Sequence, residues 1–308
     1  MNAPTVTLLG IDWGSSNRRA YLLDANGELL ARHSDDDGML HVDDFEASLK
    51  ELLRTLEVER ADIVMSGMVG SRHGWREAPY LSVEQSVARL HDALMEVDTS
   101  LHGVRCRIAP GYRFVDDQGM PDVIRGEEVQ VLGALELGAS NGWFLLPGTH
   151  SKWIRVAEGR IVELMTFMTG ELYSLLTQHG TLAKVSSEQQ SVPEAFEAGL
   201  KAARSGGVTH TLFYCRALVV TDMMPAAHAS SFLSGLLIGA ELDEILKKTH
   251  GTMPSPVQVI GSPALCERYL NALEMLGIRA RAWQPDDVYV AALRVLFNLT
   301  GDLLHGPV

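Results

Sequence analysis

Apolar residues dominate "TVTLLGIDW" and recur on both sides of "DANG" in "RRAYLLDANGELLARHS". The first pattern predicts a buried strand; the second predicts two strands joined where Asn26-Gly27 permits the positive φ of a tight turn. Phe45, Leu49, Leu52, Leu53 and Leu56 then recur at helical spacing, and "ADIVMSGMVG" predicts a short strand ending in glycines. The chain thus opens β-β-β-α-β. A helix over "SVEQSVARLHDALMEV", a strand in "VRCRIAPGY" and a helix over "DVIRGEEVQVLGALEL" are expected to complete a first α/β domain, residues 1–138.

The pattern restarts in a second domain, residues 139–308. "GWFLLPGTHSKWIRVAEGRIVELMTFMTG" predicts strand, glycine loop, strand, turn and strand. Aligning Gly14 with Gly148 pairs Ser15 with Thr149, Asn17 with Ser151 and Arg18 with Lys152, an approximate internal repeat. Helices are expected in "TGELYSLLTQH", "VPEAFEAGLKAARS", "TLFYCRALVV" and "ASSFLSGLLIGAELDEILKK", where Gly235 and Gly239 suit close helix packing. A βαβ-like unit in "PVQVIGSPALCERYLNALEMLGIRARAW" and a helix over "DVYVAALRVLFNLTGDLL" close the chain. No low-complexity linker separates the halves, so they are expected to pack around a cleft.

Composition narrows the function classes. With 26 basic and 39 acidic residues the net charge is -13, and no Lys/Arg run occurs, which argues against a nucleic-acid footprint. An anionic ligand must be held by local backbone N–H groups and single arginines. Cys106, Cys215 and Cys266 are far apart and lack metal-ligand spacing, so they read as reduced core thiols. The first residues carry no basic stretch ahead of a signal-like apolar run, and no apolar run reaches membrane-spanning length. A cytoplasmic protein with no membrane partner is expected.

The loop Gly14-Ser15-Ser16-Asn17 fits two readings. It is a polar turn between strands, or a phosphate cradle in which glycine admits a close approach and N–H groups and hydroxyls meet phosphate oxygens. Asp12 ends the preceding strand, where a carboxylate can hold magnesium directly or through water. A second loop, Gly148-Thr149-His150-Ser151-Lys152, favours the cradle. Two such hairpins would hold the phosphates of one ATP, and phosphoryl transfer needs mainly such positioning and charge neutralisation.

The opening strands with their Asp-x-Gly-Ser loop, repeated in a second α/β half, resemble the actin, sugar kinase and Hsp70 ATPase superfamily. More narrowly, "IDWGSSNRRAYLL", "MSGMVGSRHGWREAPYL", "VIRGEEVQVLGA", "LLPGTHSKWI", "TGELYSLLTQH", "FLSGLLIGAE" and "VIGSPALCERY" resemble the 2-dehydro-3-deoxygalactonokinase family from residue 8 to about residue 297. The resemblance implies an α/β fold of two ribonuclease H-like domains, actin-like in arrangement, around an ATP and substrate cleft. It implies Mg2+ and ATP as cofactors and phosphorylation of the 6-hydroxyl of 2-dehydro-3-deoxy-galactonate. Oligomeric state stays open, a homodimer being the commonest symmetric assembly.

Residue roles follow in the same terms. Glu127 and Glu128 begin a helix, where acids also cap backbone N–H groups. The segment also resembles the Gly-x-Glu-Glu element of exopolyphosphatases, which implies Glu127 as general base, with Glu128 behind it and Asp12 as the magnesium-linked alternative. Ser71, Arg72, Trp75, Tyr80 and Arg125 are candidates for the sugar acid, each equally readable as loop packing. Thr169 can meet substrate or cap its helix. Gly261 and Ser262 form a strand-to-helix turn that the superfamily places against adenosine, and Arg18, His150 and Lys152 can neutralise phosphate. The second loop lacks the aspartate that many relatives carry. A polyphosphate or nucleotide phosphohydrolase and a non-enzymatic ATP-gated interaction protein are the alternatives.

Overall fold

The computed structural model describes residues 7–184, 191–253 and 255–299. They form two compact units. Of the described residues, 7–141, 154–164 and 283–299 belong to the first, and 142–153 and 165–282 to the second.

In chain order the first unit contains β1 (Thr7–Trp13), β2 (Arg18–Leu23), β3 (Leu29–Asp35), α1 (Phe45–Thr55), β4 (Ala61–Gly67), β5 (Tyr80–Ser82), β6 (Met95–Val97), β7 (Val104–Ile108), β8 (Gly111–Val115), β9 (Pro121–Ile124) and α2 (Glu127–Glu136). Then follow β10 (Gly142–Leu146), β11 (Ser151–Ala157), β12 (Arg160–Phe167), α3 (Thr169–Gln178), α4 (Gly180–Ala183), α5 (Pro193–Ala202), α6 (Val208–Val220), α7 (Ala229–Lys248), β13 (Val257–Ile260), α8 (Pro263–Met275) and β14 (Ala280–Trp283). The last helix, α9 (Pro285–Leu296), returns to the first unit.

The large sheet of the first unit runs β3-β2-β1-β4-β7-β6, and the later strands form a sheet β12-β11-β10-β13-β14. Without the edge strand β6 the two sheets have the same order, so the repeat inferred from the two glycine loops extends to the whole strand plan. The fold is the expected α/β one. In the first sheet β1 pairs antiparallel with β2 and parallel with β4, and β4 pairs parallel with β7. The β1–β2 and β10–β11 loops therefore occupy the same connection of the plan.

Alternation along β1 sends Leu9, Ile11 and Trp13 into a core with Ile63 and Met65 of β4 and Leu49, Leu52 and Leu53 of α1. The opposite face meets α9. A Cβ on Gly10 would lie 2.1 Å from Leu293 Cδ1, and one on Gly133 of α2 would lie 1.8 Å from the Val288 carbonyl oxygen. The Tyr21 hydroxyl donates to Asp286 Oδ1 at 2.7 Å, and Arg294 Nε donates to the Gly27 carbonyl at 3.0 Å. In the second unit α5 and α7 pack backbone to backbone. A Cβ on Gly199 would lie 2.0 Å from the Phe232 carbonyl, one on Gly235 2.0 Å from that of Phe196, and one on Gly239 2.9 Å from that of Leu200. Gly235 and Gly239 thus serve the close packing expected of them.

Two helical expectations are corrected. "SVEQSVARLHDALMEV" holds a 3-10 segment, Val87–Ala93, broken at Arg89, between β5 and β6. Val87 and Leu90 are buried as the spacing implied, but β5 pairs with β8 and β6 with β7, so tertiary pairing claims both ends. "DVIRGEEVQVLGALEL" begins as strand, because β9 pairs with β8 and Gly126, at φ 105, stops the extended chain before α2 starts at Glu127. The predicted terminal helix ends at Leu296, and its expected continuation past 299 lies outside the described residues, as do Thr5 and Val6 of the first strand. Among the described residues no helix is long and apolar enough to cross a membrane.

Gly133→Ala is expected to lower unfolding free energy by about 3 kcal/mol, because the added methyl collides with backbone and not with a movable side chain. Gly138→Ala, where a Cβ meets nothing within 4 Å but φ is 86, should cost only about 1 kcal/mol. Urea denaturation of both variants measures the difference; equal losses would contradict the packing argument.

Candidate active site

The β1–β2 turn closes with Gly14 N donating to the Asn17 carbonyl at 3.0 Å. From behind, Met39 N donates to the Gly14 carbonyl and Leu40 N to that of Ser15, both at 2.9 Å. A Cβ on Gly38 would lie 2.2 Å from the Ser16 carbonyl carbon, so this glycine, which drew no notice in the sequence, lets the supporting segment touch the turn. Ser15, Ser16 and Asn17 are exposed, and the N–H groups of Ser15 and Ser16 donate to none of the described residues. An exposed turn with carbonyls satisfied and N–H groups free has the polarity an anion requires.

Arg18 is not on that exposed side, which corrects its expected phosphate role. It is 2% exposed, its Nη2 donates to Asp35 Oδ2 at 2.7 Å and Asp37 Oδ2 at 3.2 Å, its Nη1 donates to Ser48 Oγ at 2.8 Å, and the guanidinium stacks 4.9 Å from the Trp13 ring. Strand alternation explains the exchange: Arg18 points inward and Arg19 outward, where its half-exposed guanidinium lies 3.4 Å from Asp12 Oδ2.

Asp12 stands one residue before the end of β1, where three backbones converge. Gly67 has φ 87 and a Cβ there would lie 2.9 Å from the Trp13 carbonyl and 3.4 Å from Asp12 Oδ1; a Cβ on Gly126 would lie 3.1 Å from Gly67 Cα. This contact brings the start of α2 up to Asp12. Burial pushes the Asp12 carboxyl above the ordinary aspartate value, Arg19 opposes the shift, and the charge of Glu127 adds to it. Glu127 is half-buried and its Oε2 accepts from Arg125 N at 2.9 Å, so it caps the helix entry while standing within electrostatic reach of Asp12. Glu128 is fully buried and both carboxyl oxygens take the Gly126 N–H at 2.8 Å. Burial first and Glu127 second push it up to about 8. No substrate hydroxyl can reach a carboxyl without exposed surface, so Glu128 is a structural cap and not a catalytic reserve.

Arg125 packs against Tyr80 and against the loop after β4 at Gly70, which Ser71 follows. Arg125 Nη2 donates to the Ala78 carbonyl at 2.8 Å, its guanidinium lies 4.3 Å from the Tyr80 ring, and a Cβ on Gly70 would lie 3.0 Å from its Nη1. Among the described residues the buried side-chain polar atoms lacking a hydrogen-bond partner are Ser71 Oγ, Arg107 Nε, and Nε and Nη1 of Arg125. Three of the four belong to Ser71 and Arg125, and unpaired buried polar atoms carry a desolvation cost. Trp75 is half-buried, stacking on Phe45 at 6.4 Å and packing against the core, and Arg72 is exposed.

In the second unit, the turn after β10 packs against two helix entries. A Cβ on Gly170 would lie 2.3 Å from the Gly148 carbonyl, Glu171 N donates to the Thr149 carbonyl at 2.8 Å, and a Cβ on Gly261 would lie 3.0 Å from Pro147 Cγ. Gly261-Ser262 and Gly148-Thr149 are thus held beside a common prolyl ring. Thr149, His150 and Ser262 are exposed; His150 Nε2 lies 2.5 Å from Glu171 Oε2. Lys152 is buried and its Nζ donates to Thr166 Oγ1 at 2.9 Å, so like Arg18 it turns away from the exposed tip. The Thr169 hydroxyl donates inward to Glu241 and neither caps α3 nor faces outward.

Among the described residues no three acidic, histidine or cysteine side chains gather as a ready metal cage. Asp12 fits the lighter demand of magnesium carried on a nucleotide, which keeps phosphate and water oxygens and needs one or two carboxylates.

A family model described as 2-keto-3-deoxy-galactonokinase matches residues 12–296. The 2-dehydro-3-deoxygalactonokinase of Escherichia coli (strain K12) is 33% identical over 293 residues, covering 94% of this chain and 97% of its own. A relative from Rhizobium meliloti (strain 1021), given the same activity as a candidate, is 34% identical over 295 residues, covering 92% and 94%. A solved structure of a candidate 2-dehydro-3-deoxygalactonokinase from Sinorhizobium meliloti superposes with a TM-score of 0.86 at 31% identity, covering 96% of this chain and 97% of that one.

Glu128 supplies a pH test. Its folded value near 8 exceeds the ordinary 4.5, so the protonated form favours folding. That contribution is full below the ordinary value and is lost as pH rises towards 8. Glu128→Gln should therefore flatten the decline of melting temperature between pH 5 and 8.5; an unchanged slope would contradict the buried cap.

Proposed function

Since the chain belongs to the 2-keto-3-deoxy-galactonokinase family, we propose that it transfers the γ-phosphoryl group of ATP to the 6-hydroxyl of 2-dehydro-3-deoxy-D-galactonate. The observation that carries this reading is the exposed Gly14–Asn17 turn beside Asp12 and Glu127, repeated as a glycine turn at the same connection of a second sheet of the same order. The reading takes the chain as two ribonuclease H-like domains, drawn at residues 1–138 and 139–308 from the sequence but with α9 counted in the first, each supplying one turn for phosphate.

In the proposed reaction Glu127 accepts the proton of the 6-hydroxyl as its oxygen attacks the γ-phosphorus; ADP leaves and the proton passes to solvent. Magnesium, when bound, neutralises the phosphate charge, with Asp12 holding it directly or through water. The free N–H groups of Ser15 and Ser16 and the exposed Thr149 hydroxyl serve phosphate oxygens, and Arg19 replaces Arg18 as the arginine of the first turn. Gly261-Ser262 serves the adenosine side. Arg125, whose guanidinium lies 4.3 Å from the Tyr80 ring, is assigned with Ser71 to orient the sugar acid's carboxylate. The reaction is assigned to the cytoplasm, consistent with three buried, unpaired cysteines, and a homodimer is the assembly to test.

Incubation with MgATP and 2-dehydro-3-deoxy-D-galactonate, or its gluconate epimer, should yield one equivalent of ADP and a 6-phosphorylated acid identified by mass and NMR. Phosphate release independent of the acid would favour a phosphohydrolase instead. Glu127→Gln should lower kcat by roughly a hundredfold or more with KM for MgATP nearly unchanged. Arg125→Lys should raise KM for the sugar acid by about tenfold, because a point charge replaces a planar fork, while KM for MgATP holds.

A further inference from the structure

The segment "FLSGLLIGAE" ends on a residue to which no role has been given. Glu241 of α7 is 2% exposed and forms no ion pair among the described residues. Its carboxyl group meets only neutral donors, and burial pushes its pKa up against them. Oε1 accepts from Ser151 Oγ and Trp153 Nε1, each at 2.7 Å; Oε2 accepts from the Tyr269 hydroxyl at 2.8 Å and from Thr169 Oγ1. Four donors saturate a carboxylate.

The origin of those donors gives the carboxylate its meaning. Ser151 and Trp153 stand on β11 directly after the Pro147–His150 turn. Thr169 precedes Gly170, which touches the Gly148 carbonyl, and Tyr269 stands on α8, whose entry at Gly261 touches Pro147. One buried carboxyl group therefore ties together β11, the entry of α3 and α8, three segments that border the second glycine turn. A core needing only volume would place an apolar residue here, since a carboxylate without a cation is expensive to bury.

We propose that Glu241 is a positioning residue for nucleotide phosphate. It fixes the Pro147–His150 turn in its binding shape before ATP arrives, through Ser151, Thr169 and Tyr269. The proposal rests on reading that turn as a phosphate loop.

Steady-state kinetics of Glu241→Gln test it, since the amide keeps the volume but replaces an acceptor with a donor facing other donors. KM for MgATP should rise by about tenfold while KM for 2-dehydro-3-deoxy-D-galactonate stays within about twofold. Thr169→Val and Tyr269→Phe, each deleting one donor, should move KM for MgATP the same way by less, and they carry the test if E241Q fails to fold. Equal rises for both substrates, or a lowered melting temperature with both KM values unchanged, would overturn the proposal. Hydrogen exchange of the wild type with and without MgATP separates the two levels. Protection of residues 147–152 with unmoved KM values sinks only the role of Glu241; no protection sinks the phosphate reading itself.

Discussion

The acidic centre of the first unit depends on the contact of two glycines. Gly67 ends β4 and Gly126 precedes α2, and their backbones approach closely enough that a methyl on Gly126 would lie 3.1 Å from Gly67 Cα. Both adopt positive φ, at 87 and 105, so neither conformation suits another residue. With the helix drawn up to the strand ends, Glu127 comes within electrostatic reach of Asp12 and its neighbour is buried as a cap. Two adjacent glutamates thereby acquire different tasks from a helical turn alone, one half-open and one sealed.

Charge placement follows a common logic in both units. At each glycine turn the basic residue expected to face phosphate, Arg18 or Lys152, is buried and occupied by its own unit. What remains exposed at the turns is backbone N–H, hydroxyl and imidazole, with the half-exposed guanidinium of Arg19 beside the first. In a chain of net charge -13 such local polarity, rather than an overall field, must hold an anion.

Much of this was legible in the sequence. The β1–β3 meander, α1 and β4 announced themselves through period and turn chemistry, and the two glycine loops marked one strand plan used twice. Tyr80 and Arg125 could be named because their residue types suit a sugar acid, and the two stack on each other. The sequence failed where sheets compete with local period, as between β5 and β6, where buried Val87 and Leu90 mimic a helix. It could not tell Arg18 from Arg19, since adjacent residues on a strand differ in facing and not in chemistry. Gly38 and Glu241 were missed because their partners lie in distant segments; only the residue type of Glu241, an acid closing an apolar helix motif, offered a signal.

The return of α9 to the first unit bears on how the chain reaches this state. Gly10 in β1 and Gly133 in α2 are both fitted to α9, through Leu293 and Val288. Those surfaces stay uncovered while the ribosome makes the intervening residues. The earliest strands to emerge are thus among the last to be completed, because the packing of the first unit is closed only when α9 has been made.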